Sequence, residues 1–180
     1  MPFTPFHIGP GIAIKALLQG SFSLMVFGWT QVVMDLQPLL VILTGQGHLH
    51  GFSHTYIGAT LIAVFCALSG KYLAEFALRL LSINAPEYLP IAWWVAVLSA
   101  FVGSYSHVLI DSIMHVDMQP LFPFSNANSL LGGMSVELLH RLCIYLGVVG
   151  SMVYFIIYWR LQRYRDRWSR SRLSGNDVGE

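Results

Sequence analysis

Apolar residues in this chain fall in long runs. Four runs predict membrane-spanning helices: residues 22–43, 55–68 (or from His54 with its polar start), 91–116 and 135–159. A bilayer core takes about 20 helical residues at about 1.5 Å of rise each, and the second run is short for that. A further run, 8–19, reaches only about 18 Å and cannot span. Gly9-Pro10-Gly11 suits its start and Gly20-Ser21 its break, so it predicts a half-helix buried in protein or lining a cavity.

Between the second and third runs, residues 70–90 carry Lys71, Glu75, Arg79 and Glu87. They predict an amphipathic surface helix and a loop ending at Ala85-Pro86. Between the third and fourth, MQPLFPFSNANSLLGG is rich in Pro, Asn, Ser and Gly and predicts a loop. There is no internal repeat. The expected fold is an all-α integral membrane bundle of about four transmembrane helices, with the half-helix and the surface helix added. Residues 1–172 form its single domain, and 173–180 are expected to be a disordered tail.

Composition supports the membrane reading. The chain is 55% hydrophobic and 11% charged, against about 25% charged in soluble domains, with a mean hydropathy of +0.60. Six of the ten basic residues, Arg160, Arg163, Arg165, Arg167, Arg170 and Arg172, follow the last apolar run. Such a cluster marks the cytoplasmic side and suits lipid headgroups; no nucleic-acid partner is expected. Cys66 and Cys143 lie in apolar runs and read as packing residues. The opening MPFTPFHIGPG has no basic residue before its apolar stretch and is not read as a secretory signal.

With the arginines in the cytoplasm, the fourth span runs inward from Ser135, the third outward, the second inward from His54 and the first outward from Phe22. Heights above the cytoplasmic face then follow from the helical rise. His7 lies about 18 Å above Gln19, Asp35 about 20 Å above Phe22, and His54 about 24 Å above Gly70. His107 lies about 24 Å above Ile91, and Asp111 about 30 Å. Five ligand-type residues from four segments therefore reach a similar level. His107 and Asp111 are four apart and share a helix face; His115, eight from His107, is on the same side. An unpaired carboxylate at this depth is costly, and a cation removes the cost. Imidazole with carboxylate suits Zn²⁺, and also Mn²⁺ or Fe²⁺.

Plainer roles compete for each residue. His107 with Asp111 could be a hydrogen-bonded pair, Asp35 could meet a basic residue, and His54 could cap a helix. His48 and His50 could lie on the surface. His115 could be interfacial or support the ligands, as could His50. Glu137 and His140, at the start of the fourth span, could be structural or support the ligands; an acid there also suits the helix dipole.

Taken together, FHIGPG, QVVMDLQP, the HGFSH turn, SHVLIDS and PLFPFS resemble the membrane-bound metal-dependent hydrolases often called YdjM-like, over most of residues 3–126. That family is distantly similar to zinc-dependent phospholipase C and related single-strand nucleases. The resemblance implies a metal held by Asp35, His54, His107 and Asp111, with His7 and Asp111 helping to hold a second, so one or two ions. It implies catalytic roles for Asp111, His107 and His54. Two places depart from the family pattern. His50 and His54 have three residues between them where four are expected, with Gly51 in place of an arginine. The Pro-Asp-x-Asp pattern is reduced to Asp35 with Gln37. A third metal position is not evident.

The expectation is a membrane-embedded hydrolase of a phospholipid or other lipid-linked phosphoester, in a bacterial inner membrane, with its site toward the outer half. A divalent-metal transporter or channel would use the same ligands. Haem ligation by His54 and His107 is a third reading, which the neighbouring carboxylates disfavour. A purely structural membrane protein is the fourth.

Overall fold

The computed structural model describes residues 5–81 and 89–176. It is all-helical among these residues: α1 (Ile8–Leu18), α2 (Leu24–Met34), α3 (Leu36–Thr44), α4 (Tyr56–Leu80), α5 (Trp93–Met114) and α6 (Val136–Asn176). Short 3-10 turns precede α1 and α4 (Pro5–His7 and Phe52–His54), and a third, Gln19–Ser21, follows α1. Four helical segments are long and apolar enough to cross a membrane: Leu24–Thr44, Tyr56–Leu80, Trp93–Met114 and Val136–Arg165. The first joins α2 and α3.

Local chemistry explains the boundaries. Ser23, Thr55 and Ser135 accept from backbone N–H groups three residues on and so cap α2, α4 and α6. The first span is broken at Asp35, where α2 ends and α3 begins. Pro38 accounts for this: it has no N–H for the Met34 carbonyl and its ring crowds that turn. The break sets Asp35 at the junction of two helices.

Two expectations change. The second span does not stop near Leu68, and no separate amphipathic helix follows: α4 continues to Leu80. Lys71 and Glu75, read as surface charges, are buried and pair with each other across one turn, and Glu75 also accepts from the Ile91 N–H at 2.9 Å. Paired in this way, the two charges can ride on a mostly apolar helix. α6 extends to Asn176, through four residues of the expected tail. The loop expected to end at Ala85-Pro86 falls largely within 82–88, outside the described residues, as do 177–180.

Helices α2, α4 and α5 pack together around Val26, Ala63, Cys66, Ala67, Ala96 and Ala100. The half-helix α1 is held chiefly by α6, through small residues. A Cβ on Gly9 would stand 2.0 Å from the Cys143 carbonyl oxygen, and one on Gly150 would stand 2.7 Å from Ala13 Cα. Close backbone approach through small residues is a usual way for helices to associate in lipid. It matters here because His7 sits immediately before α1.

Gly9→Ala is expected to destabilise the protein by about 1–3 kcal/mol, through overpacking. Gly28→Ala, whose added Cβ meets nothing within 4 Å, is expected to leave it unchanged or slightly more stable. Thermal unfolding in detergent measures both.

Candidate metal centre

Four segments deliver five side chains to one place. His7 comes from the turn before α1, Asp35 from the α2–α3 junction, and His54 from the turn before α4. His107 and Asp111 come from one face of α5. All five are buried, His107 completely. They surround the Asp111 carboxylate, whose two oxygens face different neighbours. Oδ2 lies 3.2 Å from His107 Nε2 and 3.5 Å from His54 Nε2. Oδ1 lies 3.1 Å from His7 Nε2 and 3.9 Å from His115 Nε2. Asp35 Oδ1 is 3.5 Å from His107 Nε2.

Protonation of the two central histidines can be read from their neighbours. Gln31 Nε2 donates to the Gly103 carbonyl at 2.9 Å, which turns Gln31 Oε1 toward His107 Nδ1 at 2.8 Å. An amide oxygen only accepts, so Nδ1 carries the proton. At His54 the chain of partners is longer. The Ser53 N–H donates to Gln37 Oε1 at 3.0 Å, which fixes that atom as the oxygen. The Ser53 hydroxyl must therefore donate to it as well, at 2.5 Å, and accept from His54 Nδ1 at 2.8 Å. With Nδ1 carrying the proton, the neutral forms of His54 and His107 would both turn an Nε2 lone pair inward.

Both Nε2 atoms are buried and have no hydrogen-bond partner. Lone pairs set against carboxylate oxygens in a dry interior repel, and an unsatisfied buried polar atom costs about 1–3 kcal/mol. A cation among them would reverse the sign of every contact. Burial, with the His107 ring second, pushes the His54 pKa from 6.5 down to about 3, so His54 is in the neutral form that binds metals. The donor set fits a divalent ion: Asp35, His54 and His107 offer atoms within 4.8 Å of one another, and so do His7, His107 and Asp111.

The five residues expected at one level do meet there. His50 and His115 also come close: their rings stack at 4.1 Å, and with Asp111 they make a third group of possible ligands. Glu137 and His140 do not join. Glu137 pairs with Arg141 at 2.6 Å on the exposed face of α6, and His140 stacks on Phe6 at 4.3 Å. The helix dipole and an i,i+4 partner suffice to explain Glu137. Thr55, not His54, caps α4. Among the described residues, the basic group buried in the spans, Lys71, is paired with Glu75 and not with Asp35. The His54 and His107 rings lie 5.2 Å apart, edge to face, with both carboxylates on their inner nitrogens, which leaves no slot for a haem. Sequence reasoning missed Gln31, Ser53 and the use made of Gln37. A neutral amide at Gln31, four residues before Asp35 in an apolar run, was the available signal.

Fold and site together define a chain that, among the described residues, is all-helical with four helices long and apolar enough to cross a membrane, carrying a buried His/Asp cluster that could hold a metal ion. Compared with protein-family models, curated proteins and solved structures, the chain matches none.

Gln31→Leu is expected to lower metal affinity by about 10–100-fold, because it frees the His107 ring. Gln31→Glu, which keeps an acceptor at Nδ1, should recover most of it; competition with a chromophoric chelator reads both. Acid should also act on the metal-free protein. Between about pH 6.5 and about pH 3 the unfolded chain protonates His54 and the folded chain does not. Stability is therefore lost as pH falls through that window. The unfolding temperature of chelated protein should drop with it, and His54→Asn should flatten the slope.

Proposed function

We propose that the protein is a membrane-embedded metal-dependent hydrolase acting on a phospholipid or other lipid-linked phosphoester. The observation that carries this reading is the pair of buried, unpartnered Nε2 atoms of His54 and His107, set against Asp111 and Asp35. Two further features support it. The cluster is carried by helices suited to a bilayer, and a cavity of about 320 Å³ lined by His50 and Asp117 lies beside it. The resemblance to YdjM-like hydrolases points the same way, with zinc as the preferred ion and manganese or iron as substitutes.

Asp35, His54, His107 and Asp111 would hold the ion. Bound there, it would supply Lewis acidity and a water acidified toward neutral pH. The chain's own residues set the conditions for this. Gln31 and Ser53 fix the imidazole tautomers. His7 holds Asp111 Oδ1 at 3.1 Å, leaving Oδ2 to the other two histidines. Burial keeps bulk water from competing for the ligands.

Orientation follows from charge. The cluster lies near the C-terminal end of α5 and the N-terminal ends of α4 and α6, whereas Arg160, Arg163, Arg165 and Arg167 lie far along α6. Placing the arginines in the cytoplasm of a bacterial cell puts the site in the outer half of the inner membrane, within reach of headgroups. The rival reading is a divalent-metal transporter. A conducted cation would have to cross the apolar core of Val26, Ala63, Ala67, Ala96 and Ala100, and desolvation there opposes passage.

Asp111→Ala and His107→Ala should each abolish bound metal and phosphoester turnover while the protein still inserts and elutes as the wild type does. Elemental analysis with a lipid-phosphoester assay checks this. Full metal content in both variants contradicts the assignment, and rapid metal flux across liposomes without turnover favours the transporter.

A further inference from the structure

The third group of possible ligands stands apart from the other two. His50, Asp111 and His115 offer donor atoms within 4.8 Å of one another, and none of the three is fully exposed. Asp111 is buried, but the group opens toward solvent through His115, whose side chain is 24% exposed, and through Asp117 behind His50, whose side chain is 44% exposed. His50 lines the cavity together with His48, Thr55, Asp117, Gln119 and Phe122.

The protonation logic of the inner histidines repeats at His50. Its Nδ1 lies 2.9 Å from both oxygens of Asp117. The Asp117 side chain is 44% exposed, where an aspartate is ionised at neutral pH. An ionised carboxylate only accepts, so His50 Nδ1 carries the proton and Nε2 keeps its lone pair. Carboxylate behind imidazole is the usual support of a metal-ligating histidine. Asp111 has the geometry to serve two positions, since Oδ2 faces His54 and His107 while Oδ1, which His7 Nε2 meets at 3.1 Å, also faces His115 Nε2 at 3.9 Å.

We propose that His50, His115 and Asp111 Oδ1 form a second, outer divalent-cation position, oriented by Asp117 and open to the cavity, where the cation receives the phosphoryl oxygens of the substrate. The proposal rests on the hydrolase reading through the shared Asp111. It answers a question which that reading leaves open. The cavity lining contains no lysine or arginine, and Gly51 stands where an arginine was expected. A phosphoester entering there would find its positive charge in a cation and not in a side chain.

The test uses the full chain, purified in detergent, saturated with Zn²⁺, desalted, and timed against a chromophoric chelator with total zinc measured in parallel. The wild type should hold two ions per chain, one released fast and one slowly. His50→Ala and His115→Ala should each lose the fast ion and keep the slow one. His48→Ala, a control for adventitious surface binding, should keep both. Asp117→Ala removes no ligand and should weaken the fast ion by about 10–100-fold. Retention of the fast ion in both His50→Ala and His115→Ala overturns the proposal, as does its loss in His48→Ala alone. Failure of the inner centre reads differently: His107→Ala would then keep the slow ion while His115→Ala still lost the fast one.

Discussion

Two imidazole lone pairs aimed at carboxylate oxygens, buried in the bundle, are the constraint around which the rest of this protein is organised. Neither nitrogen can turn away. Gln31, held by the Gly103 carbonyl, commits His107 to one tautomer, and Ser53, held by Gln37, commits His54 to the same one. A structure that settles protons so firmly on the outer nitrogens leaves the inner ones without partners. In a helical bundle built only for packing, such atoms would be expected to find donors. Here they face acids, an arrangement that becomes favourable when a positive ion lies between them.

The scaffold can be understood from the same centre. Pro38 breaks the first span so that Asp35 sits at a helix junction. Gly9, Gly150 and their small neighbours let α1 lie close against α6, which brings His7 to Asp111. The turn Phe52–His54 folds under α4 at Gly58, where a Cβ would stand 2.0 Å from the Phe52 carbonyl oxygen. Each of these local features spends backbone freedom or close packing on the direction of one ligand. Away from the cluster, α2, α4 and α5 meet through alanine, valine and cysteine.

Much of this was legible in the sequence. Long apolar runs gave the helices, because helical periodicity and bilayer thickness constrain them together. Counting helical rise from a charge-based topology brought His7, Asp35, His54, His107 and Asp111 to a common level, and they do converge. Other parts were hidden for physical reasons. Lys71 and Glu75 read as surface charges because a sequence does not show that they neutralise each other inside the bundle. The ends of α4 and α6 were misjudged for that reason, and because a helix need not stop where its apolar run does. Gln31, Ser53 and Gln37 escaped notice because uncharged polar residues carry little signal until their partners are known. In this chain Gln37 orients a histidine through Ser53.

The central claim is that these side chains surround an ion. Zinc K-edge X-ray absorption on the purified protein tests it most directly. The account predicts a first shell of nitrogen and oxygen with the multiple-scattering pattern of several imidazoles and no sulfur. A sulfur shell, which would implicate Cys66 or Cys143, or a spectrum of zinc in water alone, would contradict it.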